Sequence, residues 1–179
     1  MQVMGISGLP GSGKSLVSEI AIKRGAVTVS MRDIIREEAK KRGESTKETA
    51  QKLREEFGQY IVSELTIKKV KKLQEEDPES KIIVEGIRSP HEVDMFKENF
   101  EDFIILSIFA NPSLRFERLK LRMREDDSTD YAEFKNRDQM ELDFGIGDVI
   151  SLSDKIIINE SDLESYINKI NEFLDKIEL

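Results

Sequence analysis

Near its amino end the chain reads Gly8-Leu9-Pro10-Gly11-Ser12-Gly13-Lys14-Ser15, which fits the phosphate-binding pattern G-x-x-x-x-G-K-S/T. Glycines let the backbone turn with positive φ, so that its N–H groups can surround phosphate oxygens. Lys14 adds a positive charge for the β- and γ-phosphates, and the Ser15 hydroxyl is a suitable Mg²⁺ ligand. The pattern therefore predicts a phosphate-binding loop, the P-loop.

The residues on either side of the loop agree with this prediction. Val3–Ser7 has the pattern of a short buried strand, and Leu16–Ile22 has that of a helix. A P-loop requires strand, loop and helix in this order, and the positive end of the helix then faces the same anion. The alternative is a glycine-rich turn that matches by accident, and the flanking pattern argues against it.

Composition limits the class of protein. The 179 residues suffice for one domain with a substantial core, and we expect a single domain over residues 1–179. The formal net charge of -8 argues against nucleic acid or an anionic membrane as partner. The absence of cysteine excludes disulfides, thiolate catalysis and zinc–sulfur sites. The sequence has no long apolar run and no signal-peptide pattern, so we expect a cytoplasmic protein.

Short apolar runs alternate with helical patterns along the chain. This alternation predicts an α/β fold with a parallel sheet covered by helices on both faces. The predicted strands are Val3–Ser7, Ala26–Val29, Lys81–Glu85, Phe103–Phe109 and Lys155–Ile158. The predicted helices are Lys14–Lys23, Met31–Lys41, Thr46–Glu76, Pro90–Glu98, Pro112–Arg124 and Asp162–Ile177.

Two helical segments interrupt the simple alternation. Residues 42–78 form a predicted insertion between the second and third strands, with Ser45 and Glu48 as a capping box and Gly58 as a break. Residues 115–145 form a predicted charged hairpin between the fourth and fifth strands, followed by a turn at Gly145-Ile146-Gly147. Ligands of parallel sheets bind at the carboxyl ends of the strands, so we expect these two helical arms to move over a bound ligand.

Two charged residues lie at the end of the third predicted strand and just after it. Glu85 ends this apolar strand, where a carboxylate beside a P-loop helps to hold Mg²⁺, although a strand that simply ends at a polar turn explains it too. Arg88 suits a second phosphate, with a solvated loop arginine as the alternative.

Two further candidates lie on the helix after the second strand. The negative charge of Asp33 in the first turn interacts favourably with the helix dipole, or Asp33 contacts metal-bound water or an incoming hydroxyl. Arg36, one turn on, is a candidate for an acceptor phosphate.

A second group of cations lies in the predicted hairpin. Arg118 and Arg122 are four residues apart and share a helix face, where like charges repel unless an anion lies between them. The alternative is a solvated face that neighbouring acidic residues neutralise. Arg137 is placed to approach the same anion, and such cations stabilise charge on a transferring phosphoryl group. The predicted helix also carries Arg115 and Arg124.

These motifs resemble those of the nucleoside monophosphate kinases, adenylate kinase above all. The loop GLPGSGKS looks like the adenylate kinase version, and Val29–Arg36 is similar to that family's I-S-T-G-D-L-L-R. Ile61–Ile67 resembles the helix that closes over the AMP base, and Val84–Arg88 is similar to D-G-F-P-R. The resemblance implies a three-layer P-loop NTPase fold with a five-stranded parallel sheet, a helical acceptor-binding arm and a short lid.

From Asn111 onward the chain looks more like dephospho-coenzyme A kinase. Leu152–Asn159 resembles that family's A-D-x-V-I-x-N segment. The chain also departs from adenylate kinase, since Met31 and Arg32 replace threonine and glycine and the stretch after Arg88 lacks the adenine-reading glutamine. The residues expected to bind ATP therefore match these kinase families better than the residues expected to bind the acceptor.

The resemblance implies ATP and Mg²⁺ as cofactors and assigns a role to each matched residue. ATP-binding residues are Gly8, Pro10, Gly11, Ser12, Gly13, Lys14, Ser15, Leu16, Arg118 and Asn159. Acceptor-binding residues are Met31, Arg36, Ile61, Gly86 and Arg88. Metal-binding residues are Ser15, Asp33 and Glu85, and the catalytic set is Lys14, Asp33, Arg88, Arg118 and Arg122.

The predicted function is transfer of the γ-phosphoryl group of ATP to a small nucleotide-like acceptor, with AMP as first choice. One alternative is a dephospho-coenzyme A kinase-like activity, in which Asp33 acts as base toward a ribose hydroxyl. The other is a regulatory protein that binds a nucleotide and transfers little.

Overall fold

The computed structural model describes residues 2–122 and 129–179, and within these residues five strands form one parallel sheet. The strand order is β2-β3-β1-β4-β5, with all neighbouring pairs parallel. The strands are β1 (Val3–Ser7), β2 (Val27–Ser30), β3 (Ile82–Glu85), β4 (Ile104–Phe109) and β5 (Lys155–Ile158). This sheet confirms the predicted α/β P-loop fold.

Helices cover both faces of the sheet. They are α1 (Lys14–Lys23), α2 (Met31–Arg42), α3 (Thr46–Phe57), α4 (Ile61–Glu76), α5 (Pro90–Asn99), α6 (Pro112–Arg122), α7 (Tyr131–Asp143), α8 (Ile146–Ser151) and α9 (Leu163–Lys176). The predicted continuation of α6 to Arg124 lies outside the described residues.

Local signals account for several helix boundaries. Ser45 and Glu48 form both bonds of a capping box at the start of α3, as predicted. Gly58 ends α3 with φ of 103°, so the predicted long helix is divided into α3 and α4. The predicted turn at Gly145-Ile146-Gly147 is instead the start of α8, because Gly145 caps the helix with φ of 100° and Ile146 is buried.

Alternating strand residues build a core on each face. Val3 and Val84 belong to the core under α4 and α5, whereas Met4, Ile83 and Leu106 belong to the core under α1 and α9. Strand side chains point to opposite faces in turn, so one apolar run supplies both cores. Within the predicted insertion, α4 contributes buried residues to the first core, and α3 packs against α2 and α4.

The parallel register places the ends of all the strands at one edge of the sheet. Ile6 and Ser30 both lie opposite Glu85 on β3, and Ser7 lies opposite Ser107 on β4. The P-loop follows β1, so the residues after β2, β3 and β5 converge on it. Ligand clefts of open α/β sheets lie at this edge.

We predict that Leu106→Ala lowers the free energy of unfolding by about 2–5 kcal/mol, because it leaves a cavity in the central sheet. Leu106 is fully buried. Leu121→Ala is the matched control, since the Leu121 side chain is 80% exposed. Urea denaturation measures both changes, and equal effects of the two substitutions would contradict the position assigned to β4.

Candidate active site

The P-loop backbone holds a shape that needs glycine. Gly11 and Gly13 have φ of 80° and 101°, in the left-handed region. A Cβ atom on Gly13 would lie 2.4 Å from the Asn159 amide nitrogen, and one on Gly11 would lie 2.7 Å from the Arg115 carbonyl oxygen. Glycine is therefore needed at both positions for two reasons, the positive φ and the lack of space for a side chain.

Three side chains from distant elements bind carbonyl groups of this loop. Arg115 Nη1 donates to Pro10 O at 3.1 Å, and Asn159 Nδ2 donates to Ser12 O at 2.8 Å. Tyr166 on α9 donates its hydroxyl hydrogen to Gly13 O at 3.0 Å. Burial raises the pKa of the Tyr166 hydroxyl, which keeps it a donor. The loop is thus fixed by α6, α9 and the end of β5.

A cleft of about 330 Å³ opens in front of the loop. Among the residues that the structure describes, six cationic side chains and two carboxylates line it, an excess of positive charge in a protein of net charge -8. Such a cleft favours a polyanion, because low-dielectric walls concentrate the field of the cations. The charged lining residues are Lys14, Arg32, Arg88, Arg118, Arg122, Arg137, Glu85 and Glu141.

Lys14 lies deep in this cleft. Its ammonium donates to the carbonyl oxygens of Gly8 and Leu9. Loss of hydration on burial lowers the pKa of Lys14 to about 8, and the charges of Glu141 and Glu85 offset part of this shift. A bound polyanion would favour the protonated form of the same group.

The oxygen atoms near Lys14 fit Mg²⁺. Ser15 opens α1 beside the cleft, and the Glu85 carboxylate accepts a hydrogen bond from the Ser18 hydroxyl on the same helix. Among the described residues, no group of three or more His, Cys, Asp or Glu side chains could hold a metal. Mg²⁺ at phosphates needs only one or two protein ligands, with phosphate oxygens and water completing its shell. Ser15 and Glu85 are the residues that would hold it.

The two arginines predicted to share a face of α6 both line the cleft. Arg118 Nη2 donates to the Asn159 carbonyl at 2.9 Å, while its Nη1 is buried with no hydrogen-bond partner in the described part of the chain. A buried guanidinium nitrogen left without a partner is costly, and an anionic ligand would satisfy it. Arg122 lines the same cleft, and Arg124 lies outside the described residues.

Arg115 is on the same helix but lies in the protein interior and not at the cleft. It is 2% exposed and binds both carboxylate oxygens of Asp138 on α7, as well as Ala110 O and Pro10 O. Its guanidinium also lies 5.1 Å from the centre of the Phe134 ring. Arg115 therefore joins α6, α7 and the P-loop in the interior and does not line the cleft.

The structure brings most of the predicted site residues to the cleft but not all of them. Asp33 and Arg36 form an exposed ion pair at 2.8 Å outside it, and Met31 is buried in the core. Ile61 packs on the same core, and Asn159 is buried beneath the loop. Ser12 and Leu16 also lie off the cleft lining. The contacts predicted for these residues with ligands remain predictions.

Sequence reasoning missed Arg32 and Glu141. Arg32 lines the cleft at the start of α2. Glu141 of α7 forms an ion pair with Arg88, with Oε2 3.2 Å from Nε. The one signal available was helical spacing, because Glu141 lies four residues after Arg137 and shares its face of α7.

Comparison with known proteins gives relatives along nearly the whole chain. The family model described as AAA domain matches residues 7–135. A UPF0200 protein of Methanothermobacter thermautotrophicus is 48% identical, over 99% of this chain and 91% of the relative. A UPF0200 protein of Pyrococcus furiosus is 44% identical, over 96% of this chain and 95% of the relative.

Two solved structures have a similar fold. Shikimate kinase from Bacteroides thetaiotaomicron superposes with a TM-score of 0.60 at 12% identity, over 99% of both chains. TT1252 from Thermus thermophilus superposes with a TM-score of 0.64 at 16% identity, over 98% of this chain and 97% of that one.

The P-loop and the parallel sheet define a P-loop nucleotide-binding protein with a kinase-like fold. Within that class, the chain belongs to the UPF0200 protein family. The closer likeness to adenylate kinase and dephospho-coenzyme A kinase stays a prediction from individual motifs. In the residues that the structure describes, no helix is long and apolar enough to span a membrane.

We predict that Arg115→Met lowers the free energy of unfolding by about 3–5 kcal/mol, because it leaves the Asp138 carboxylate without its partner. The double variant with Asp138→Leu should recover part of this loss, since it removes the unpaired charge. Lys41→Met, which breaks an exposed pair with Glu38, is the control and should change little. A small effect of Arg115→Met in urea denaturation would contradict the role assigned to this pair.

Proposed function

We propose that this protein is a Mg²⁺-dependent phosphotransferase that moves the γ-phosphoryl group of ATP to a small nucleotide-like acceptor. The observation that carries the proposal is the facing arrangement of a P-loop and five arginine side chains across one cleft. A nucleoside triphosphate with an anionic acceptor beside it would provide enough negative charge to pair with these cations. The kinase-like fold supports the same reaction class.

On the donor side, P-loop N–H groups and Lys14 would bind the β- and γ-phosphates. Mg²⁺, held by Ser15 and Glu85, would neutralise charge on the phosphate oxygens. Arg118 and Arg122, with Arg137 from the other side, would stabilise the charge of the transferring group. Catalysis of this kind consists of positioning and electrostatic stabilisation.

On the acceptor side, Arg88 is the first anchor. It lies after β3 at the same edge of the sheet, and Arg32 lines the cleft as a second cation. The sequence resemblance makes AMP the first acceptor to test and dephospho-coenzyme A the second. Asp33 and Arg36 would take part only after a movement that frees them from their mutual ion pair.

Substitution of the P-loop lysine tests the proposal. Lys14→Ala should lower the rate of transfer from ATP by about 10²-fold or more, because it removes a cation from the transferring group. Lys23→Ala, on the exposed end of α1, is the matched control. A coupled assay with AMP and dephospho-coenzyme A measures the rates. An unchanged rate in Lys14→Ala would rule out the mechanism, and tight ATP binding without turnover of any acceptor would favour a regulatory role.

The titration of Lys14 predicts how ATP affinity depends on pH. Burial lowers the pKa of Lys14 to about 8 in the free protein, and a bound triphosphate would raise it. Below pH 8 the lysine is protonated in both states, so affinity does not depend on this group. Above pH 8 binding takes up a proton, so affinity should fall by up to about tenfold per pH unit.

Calorimetry at pH 9 in buffers of different ionisation enthalpy measures this proton uptake. Lys14→Ala should abolish it, whereas Lys23→Ala should leave it intact. Proton release, or an affinity for ATP that stays constant from neutral pH to pH 9, would contradict the assignment.

A further inference from the structure

Glu141 on α7 adds a carboxylate to the cleft that also holds Lys14 and Arg88. Its Oε2 atom lies 3.2 Å from Arg88 Nε, and its side chain is only 15% exposed. It lines the same cleft as Lys14, and its negative charge raises the pKa of that lysine. Glu141 therefore pairs with the cation predicted for the acceptor and shares the cleft with Lys14, the cation predicted for the γ-phosphate.

The other carboxylates near the cleft have different partners. Within residues 2–122 and 129–179, the cleft is lined by two carboxylates, Glu85 and Glu141. Glu85 accepts a hydrogen bond from Ser18 and is the oxygen ligand suited to Mg²⁺. Asp33 binds Arg36 on the outside of α2. Glu141 is thus the carboxylate in the described part of the cleft that is not assigned to Mg²⁺ and that lies beside a cation predicted for the acceptor.

The position of Glu141 distinguishes between two chemical classes of acceptor. A phosphate monoester is already an anion at neutral pH and needs no base. A carboxylate beside it repels it, and the repulsion is stronger near the low-dielectric protein than in bulk water. A hydroxyl group is neutral, suffers no such repulsion and must lose a proton when it attacks phosphorus. A carboxylate at this point suits a hydroxyl acceptor.

We propose that Glu141 is the general base of the transfer reaction and that the acceptor atom is a hydroxyl oxygen of a small molecule. This inference rests on the proposed function, because it concerns the acceptor of the same phosphoryl transfer. Arg88 would hold the Glu141 carboxylate in place through its Nε atom. The rest of its guanidinium, together with the other arginines of the cleft, would bind the anionic part of the acceptor.

The step balances without any further reactant. The acceptor oxygen forms a bond to the γ-phosphorus while its proton passes to the Glu141 carboxylate. The bond between the γ-phosphorus and the bridging oxygen breaks, and its electron pair leaves with ADP. Glu141 then returns the proton to solvent water. The products are ADP, a phosphomonoester of the acceptor and a proton.

The isosteric variant Glu141→Gln tests this role, with water as the simplest hydroxyl acceptor. Basal hydrolysis of ATP should fall by about 10²- to 10⁴-fold, as for loss of a general base. The affinity for ATP with Mg²⁺ should not weaken, because the negatively charged Glu141 side chain does not bind the phosphates and its removal takes away a like charge. Asp143→Asn, an exposed carboxylate two residues further along α7, is the matched control and should hydrolyse ATP like the wild type.

Glu141→Asp gives a second variant that keeps the carboxylate and shortens its reach. Its rate should lie between those of the wild type and Glu141→Gln. A rate of Glu141→Gln at or above that of the wild type would overturn the inference, because it would mean that Glu141 only competes with ligands for Arg88.

The chemical class of the acceptor is tested with three probes, AMP, adenosine and dephospho-coenzyme A. Phosphorus NMR distinguishes a phosphomonoester product from a phosphoanhydride. We expect monoester products, and we expect Glu141→Gln to lose them. Rapid formation of ADP from AMP that Glu141→Gln leaves intact would overturn the inference while the proposed function stands. Wild-type protein that neither binds ATP nor hydrolyses or transfers its phosphate would overturn both.

Discussion

The candidate site depends on the hydrogen bonds that hold the P-loop carbonyls. Arg115, Asn159 and Tyr166 reach the loop from α6, the end of β5 and α9, so three elements more than 100 residues along the chain from the loop fix one turn. A phosphate cradle of backbone N–H groups needs this rigidity, because a preformed loop binds without the cost of ordering. The folding of the carboxyl-terminal half is therefore coupled to the geometry of an amino-terminal motif.

The second constraint is electrostatic. Within its described residues, an acidic chain gathers six cations at one edge of its sheet, where the low-dielectric protein around the cleft concentrates their field. Lys14 is buried, and Nη1 of Arg118 is buried without a hydrogen-bond partner among the described residues, and both features cost free energy that an anionic ligand would offset. The same groups become favourable when a polyanion pairs with them.

The P-loop, the five strands and the capping box could be predicted because each rests on a local pattern of glycine, apolar or capping residues. The roles of Arg115 and Glu141 could not, because each depends on a partner on another element, Asp138 and Arg88. Arg36 illustrates a third case. It lies one turn, about 6 Å, along α2 from Arg32, and that distance separates a residue on the cleft from one outside it.

The most direct measurement is NMR titration of the backbone amides with ATP and Mg²⁺. The account predicts that the largest shifts fall on the N–H groups of Gly11, Gly13, Lys14 and Ser15, with a stoichiometry of about one nucleotide per chain, since one P-loop binds one triphosphate. Shifts confined to other parts of the chain, or no shifts at millimolar nucleotide, would contradict the central claim that this loop is a cradle for a magnesium-bound triphosphate.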